Sequence, residues 1–336
     1  MTFALIGSES LLGREIRDIA ATSSPALDLR LVAALGEQPG KLTLVGDEPA
    51  LVGGLDAGSL AAARAVFLAG SAESSRQALE LLDQQPGAVI IDLTGAAEER
   101  PDARLRAPLV ESETGAESDD PGVPAVHVIA HPAAIALALF LRRLQAHDPI
   151  HRSVIQVFAP ASDHGMPGVE ELQQQTISLL SFKPFPRAIF DTQIGFNLLA
   201  RYGEEAPTAL EDSELRIEHH LATLLGLPGE GGGAPMPSLR LVQAPVFHGY
   251  SFSAWVEFDG NPGVEALESG LATGSIEVRG SEFEPPTNVG QAGQCGIAVG
   301  AIALDRNHPE ACWFWLVADN LRLTAENAVA LARQLT

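Results

Sequence analysis

The sequence predicts an α/β chain of two domains: a Rossmann-like, nucleotide-type domain on a parallel sheet, then an α+β domain around a mixed sheet. Three observations carry this. Residues 3–93 repeat strand, loop and helix, the economy of a parallel α/β unit. Ala88–Leu93 is apolar throughout until Asp92, as a strand covered on both faces must be. Further on, Phe252, Ala254, Val256 and Phe258 recur at every second position, the signature of an antiparallel strand with one covered face.

Length and charge set the bounds. The chain has 336 residues, 46% of them hydrophobic, enough for two ordinary cores. Its 43 acidic residues outweigh 21 basic ones, a net charge of -22 that opposes nucleic acid and anionic membranes as partners. No run approaches a membrane span, and Thr2–Gly7 lacks the pattern of a signal peptide, so a cytoplasmic location is expected. Cys295 and Cys312 form neither a disulfide framework nor a metal or redox spacing, and they read as buried or incidental thiols.

In chain order, Phe3–Gly7 is a strand, and Gly7-Ser8-Glu9-Ser10-Leu11-Leu12-Gly13 turns it into a helix running to about Ala20. Gly7 suits the tight turn and Gly13 close helix packing, but the middle position is Ser10, which holds a pyrophosphate farther from the backbone than glycine would. Asp28–Leu35 is the second strand, and Glu37 in the loop after it disfavours a 2′-phosphate, with Lys41 the nearby cation. Leu42–Val45 and Ala50–Val52 read as short strands, Ala65–Ala69 as another, and Ser74–Gln84 as a helix. Asp92 reads as a strand-end cap. Pro108–Ser112 reads as a short strand, and Glu113–Pro121 as a solvated acidic loop rather than a metal site.

The pivotal stretch is Val128–Leu144, VIAHPAAIALALFLRRL, where a strand delivers His131, Pro132, Ala133 and Ala134 to a helix start whose orphan N–H groups favour an anion or thiolate. The expected division is residues 1–130, with a 320–336 helix packing back, and residues 131–319. Arg142, Arg143, His147 and Arg152 read as a solvated helix end. Ser153–Ala159 is a strand, the loop Pro160–Gly168 leads to a helix at 169–180, and Phe182–Phe190 is extended. Glu211–Leu225 is an amphipathic helix with Leu215, Leu221 and Leu225 among its core candidates. The GGGAP of Glu230–Pro237 is a turn, since it lacks the Lys-Ser/Thr of a phosphate loop. Leu239–Pro245, Gly249–Phe258, Ser275–Arg279, Cys295–Leu304 and Cys312–Ala318 are strands, with helices at Pro262–Gly270 and Leu323–Leu335. Trp313, Phe314 and Trp315 read as core. One sheet face left uncovered by helices suggests a homodimer interface.

The order of these motifs resembles the aspartate-semialdehyde dehydrogenase family across almost the whole chain. His131-Pro132-Ala133-Ala134 stands where the family has its N-P-N-C nucleophile turn, and Val157–Asp163 where it has T-Y-Q-A-x-S-G. Asp319-Asn320-Leu321-Arg322 and Asn327-Ala328-Val329 keep its D-N-L-R and N-A-V segments. The resemblance implies a dehydrogenase-type second domain and interconversion of an acyl phosphate and an aldehyde through a cysteine thioester, with NADP(H) and phosphate. It also places Ala134 at the cysteine, Ala159 at the glutamine, Gln243 at the substrate-binding arginine and Tyr250 at the catalytic histidine. A methyl group forms no thioester. Arg216 falls at the family's lysine, and Leu35, Glu37 and Gln38 replace the donors of its cofactor loop.

The leading expectation is therefore a catalytically inactive homologue with a structural, regulatory or ligand-binding role for an unidentified small molecule. Gly7, Ser10, Leu11, Leu12 and Gly13 would be a vestigial cofactor turn, with no cofactor assigned and NAD or NADP open by fold alone. The alternative is an NAD(P)-dependent oxidoreductase acting on an aldehyde or acyl phosphate in amino-acid biosynthesis, or another enzyme with a remodelled pocket using Ser162, Asp163, His164, His131 and Tyr250. Ser162 and Asp163 otherwise read as turn or capping groups, His164 as a surface residue, and His219 and His220 as core or surface histidines rather than metal ligands, so no metal is expected.

Overall fold

The computed structural model describes residues 2–61, 63–84, 87–113 and 126–335. It divides into two compact units, one of Met1–Pro108, Glu117–Ala130 and Thr324–Thr336, the other of Leu109–Ala116 and His131–Leu323. Among the described residues no helix is long and apolar enough to cross a membrane.

Up to Ile129 the elements are β1 (Thr2–Ile6), α1 (Leu11–Thr22), β2 (Asp28–Val32), β3 (Leu42–Val45), β4 (Glu48–Leu51), α2 (Ala57–Leu60), β5 (Ala65–Leu68), α3 (Ala72–Asp83), β6 (Val89–Asp92), β7 (Ala103–Arg106), α4 (Pro108–Glu113) and β8 (Val126–Ile129). Six strands form a sheet in the order β2-β1-β5-β6-β8-β7, every pair parallel. β5 and β8 are buried at every position, as strands covered on both faces are. Asp92 caps the turn after β6, accepting from the N–H groups of Thr94 and Ala97 at 2.8 Å each.

The expected strand at Pro108–Ser112 is instead α4. Pro108 supplies helical φ at a position whose missing N–H costs nothing, so the proline starts a helix. The strand of this region is β7, at the sheet edge, where two arginines interrupt the apolar pattern. From residue 114 on, the acidic loop read at Glu113–Pro121 lies outside the described residues.

The second unit carries α5 (Pro132–His147), β9 (Ile150–Ala159), α6 (Gly165–Leu180), α7 (Leu210–Leu225), β10 (Ser238–Gln243), β11 (Tyr250–Phe258), α8 (Val264–Leu271), β12 (Ile276–Arg279), α9 (Asn288–Gln291), β13 (Ile297–Leu304) and β14 (Ala311–Ala318). A last helix, α10 (Asn320–Gln334), begins here and belongs to the first unit from Thr324 on. The sheet order is β10-β9-β11-β14-β13-β12, with β11 antiparallel to both neighbours and β10 and β12 each parallel to theirs. This is the mixed sheet expected.

α5 is apolar all round and buried from Ala133 to Arg142, the condition of a helix inside a core. Arg142 corrects the expected solvated helix end. It is 3% exposed, and its guanidinium donates to the carbonyls of Leu227 (2.7 Å), Pro228 (3.0 Å) and Glu230 (3.1 Å), closing the C-terminal end of α7. Arg143 similarly donates to the Gly270 carbonyl, 2.7 Å away.

Two core expectations also change. Leu215 faces solvent, because α7 buries Ile217, His220, Leu221 and Leu224 on the opposite side. Phe314 is buried against Phe140, but Trp313 and Trp315 take the alternate face of β14, and Trp313 is 43% exposed. Strand alternation cannot bury three consecutive side chains on one face.

Candidate functional site

The site begins where α5 starts. Pro132 occupies the first turn and His131 is the N-cap, its Nδ1 accepting the Ala133 N–H at 3.2 Å. That acceptor role leaves the ring proton on Nε2, which faces the Asp163 carboxylate at 3.7 Å, longer than a direct hydrogen bond. The backbone N–H of His131 donates in turn to His220 Nδ1, 3.0 Å away on α7. Burial, with Arg216, His131 and His219 nearby, pushes the His220 pKa down to about 3, so this imidazole is a neutral acceptor. Burial alone would raise the Asp163 carboxyl, but the His131 and His164 rings outweigh it and hold it at about 2.

A second chain of contacts runs to β10. His164 Nε2 lies 2.9 Å from the Tyr202 hydroxyl, which donates to Gln243 Oε1 at 2.7 Å. The tyrosine proton is thereby committed to Gln243, so His164 Nε2 is the donor in the first contact. Gln243 Nε2 donates to the carbonyls of Ala159 (2.9 Å) and Ala244 (3.1 Å), and both ends of its amide are engaged. Tyr250 is fully buried, edge-on to His131 with ring centres 5.7 Å apart. Its hydroxyl makes no hydrogen bond of normal geometry; burial and the Asp163 charge both raise its pKa.

Of the four family positions, Ala159 and Gln243 lie in the second chain of contacts and Tyr250 packs on His131 in the first. Ala134, the third residue of α5, is 0% exposed, and Ala159 closes β9 beside Gln243. Ser162 corrects its capping role: it is buried and exchanges hydrogen bonds with Asn320, Oγ to Oδ1 at 3.2 Å and Nδ2 to Oγ at 3.1 Å. His164 is likewise no surface residue, since Phe190 and Tyr202 pack edge-on against it.

Neither cysteine joins them. Cys312 pairs with Val256 while Ala318 pairs with Tyr250, which separates Cys312 from Tyr250's level by six strand residues, about 20 Å. Burial raises its thiol to about 11, and Cys295 is exposed in the loop before β13. No group of three or more metal-ligating side chains gathers among the described residues.

Sequence reasoning missed Tyr202, His220 and Asn320 as members of the network. His220 carried a usable signal, falling on the helical face of Ile217, Leu221 and Leu224. Tyr202 sits in an irregular segment and carried none.

Against this geometry the likenesses to known proteins take on meaning. The family model for "Semialdehyde dehydrogenase, dimerisation domain" matches residues 141–323, more than half of the chain. A USG-1 protein homolog of Pseudomonas aeruginosa is 30% identical over 340 residues, covering 100% of this chain and 97% of that protein. An aspartate-semialdehyde dehydrogenase of Rickettsia bellii is 26% identical, covering 99% and 96%. The chain belongs to the aspartate-semialdehyde dehydrogenase family. In three dimensions it is similar to a probable aspartate-semialdehyde dehydrogenase from Pseudomonas aeruginosa, with a TM-score of 0.81 at 28% identity and coverage of 100% of this chain and 98% of that one.

Membership in the aspartate-semialdehyde dehydrogenase family gives the first unit an NAD(P)-binding type of fold, and its turn can be tested for fit. Gly7 has φ +85°, and a Cβ there would lie 2.4 Å from Gly70 N; one on Gly13 would lie 2.0 Å from the Gly7 carbonyl oxygen. The chain's own packing therefore requires both glycines, ligand or not. Ser10 caps α1, accepting from Gly13 N at 2.9 Å and donating to the Ala69 carbonyl at 2.6 Å, and Leu11 and Leu12 open the helix behind it. Glu37 accepts the backbone N–H groups of Glu9 (3.1 Å) and Ala34 (3.0 Å). The N–H groups of Gly13, Glu9 and Ala34 are thus engaged within the chain, and the carboxylates of Glu9 and Glu37 beside them oppose a dinucleotide phosphate at this turn.

Proposed function

We propose that this chain retains the family's framework without its thioester chemistry, serving a structural, regulatory or ligand-binding role. One observation carries the reading: the start of α5, where the resemblance puts the nucleophile, bears the buried methyl of Ala134. The neighbouring polar groups are turned on one another rather than left for a substrate. Gln243 spends its whole amide on Tyr202, Ala159 and Ala244, and it carries no charge for a carboxylate. Loss of a covalent centre removes the route, whereas loss of an orienting group only slows it, by about 10²-fold to 10⁴-fold. Gln243 and Tyr250 both being 0% exposed favours the scaffold version over an open ligand pocket. By the same reading the cofactor turn is vestigial.

Kinship favours the second reading over the first. Relatives over nearly the whole chain are named as dehydrogenases, and an oxidoreductase acting on an aldehyde or acyl phosphate would draw on the Asp163–His131 pair, whose charge and orientation are already set. Phosphate-dependent reduction of NADP with aspartate semialdehyde separates the two. The expected rate equals the no-protein control; a rate above it that Asp163→Asn or Tyr250→Phe abolishes establishes the second reading.

The family-model match to a dimerisation domain supports self-association, and the outward face of the mixed sheet supplies a surface. Trp255 there pairs with Val154 on one side and Trp313 on the other, the last two 44% and 43% exposed. A homodimer through this face is expected to dissociate on Trp313→Asp, read by sedimentation.

A further inference from the structure

In the first unit a cluster of cations surrounds a carboxylate of the chain itself. Glu9 stands one residue before the α1 N-cap. Its Oε1 accepts from Arg17 Nη1 at 2.9 Å, and its Oε2 is paired with Lys41 Nζ. Arg17 Nη1 also donates to Thr43 Oγ1 at 2.7 Å, so one helix and the loop and strand facing it converge on a single carboxylate. The Glu9 and Arg17 side chains are only 11% and 12% exposed, which sets this cluster apart from a solvated surface pair. Burial works against the ionised carboxyl, yet Lys41, Arg17 and Thr43 together hold its pKa below the usual range.

One guanidinium, one ammonium and a hydroxyl, beside a helix N-terminus at the mouth of a strand-to-helix turn, form a donor set suited to a phosphomonoester. Here the set is filled by a tethered anion. We propose that Glu9 is an intramolecular plug, occupying an anion site built of Arg17, Lys41 and Thr43 that would otherwise take the phosphate of a nucleotide or a free phosphate ion. The tension between a dinucleotide-type fold and a turn flanked by two carboxylates then has a local cause. An external phosphate must displace a carboxylate whose effective concentration is in the millimolar range or above because the chain holds it in place. Glu37 adds a second negative charge but occupies backbone donors instead of the cation pair. The inference concerns the first unit alone and is independent of the thioester question.

Titration calorimetry of the full chain tests it, with inorganic phosphate, adenosine 2′,5′-bisphosphate and unphosphorylated adenosine as probes. Glu9→Ala is expected to bind a phosphorylated probe at least about tenfold more tightly than the unaltered chain, and Glu9→Ala with Arg17→Ala to lose that gain. Saturation by inorganic phosphate identifies a free-ion site; saturation by the bisphosphate alone identifies a nucleotide site. Either supports the plug. Equal affinity in the unaltered chain and Glu9→Ala overturns it, as do binding of adenosine itself or retention of the gain in the double variant. Glu9→Gln, which keeps the side-chain volume, carries the same comparison if Glu9→Ala melts early. Loss of folding in both would show that the carboxylate is needed for the fold, which also contradicts the proposal.

Discussion

The two strand-to-helix turns of this molecule, β1 to α1 and β8 to α5, solve one problem with different residues. Each ends a parallel strand and opens a helix whose first N–H groups seek an acceptor, and each meets that need from within. Ser10 caps α1 with a hydroxyl and Glu9 beside it carries the charge, held by Arg17 and Lys41. His131 caps α5 with a ring nitrogen, and Asp163 carries the charge, held by His131 and His164. The caps differ in burial, Ser10 being half-buried and His131 4% exposed, while the two carboxylates are similar, Glu9 at 11% and Asp163 at 18%. The difference teaches that a fold can keep the geometry of two reactive helix ends while its own side chains fill both.

Acid should separate the two turns most. The folded state holds His220 neutral down to about 3 against an ordinary value of 6.5, so the unfolded chain binds the extra proton. Its contribution is fully present above pH 6.5 and is lost as pH falls toward 3. Asp163 adds a second window, full above 3.8 and lost as pH falls toward 2. Urea unfolding of the full chain is expected to weaken by up to about 1.4 kcal/mol per pH unit per proton, with the higher window flattened in His220→Gln.

His131→Ala should come next, costing about 2–4 kcal/mol, because it removes a cap and leaves a buried carboxylate without its partner. Ala134→Cys places a larger side chain where nothing is exposed and is expected to cost about 1–3 kcal/mol. Its thiol should resist iodoacetamide in the folded protein. Ser10→Ala, at the more open cap, should cost only about 1 kcal/mol. If Ser10→Ala proved the costlier cap, the contrast drawn between the turns would be reversed.

The parallel sheet was legible because burial on both faces leaves apolar runs such as Ala65–Leu68, and β11 because alternation marks one covered face. The helix start at Pro132 and the alanine at 134 were legible from local residue types alone. What was hidden depends on partners distant in sequence. Arg142 looked solvated because the carbonyls it caps lie 85 to 88 residues later. His164 and Ser162 looked like loop residues because Tyr202 and Asn320 are brought to them only by the fold. Glu9 sits at a variable position of the Gly7–Gly13 turn, and its role emerges only when the fold places Lys41 and Thr43 beside α1.

The most direct test of the central claim is the intact mass of the protein after incubation with aspartate semialdehyde and NADP in the absence of phosphate, where a thioester route would stall with the acyl group on the chain. The unmodified mass is expected. An added acyl group, mapped by digestion to any residue, would show that a covalent route survives and would contradict the account.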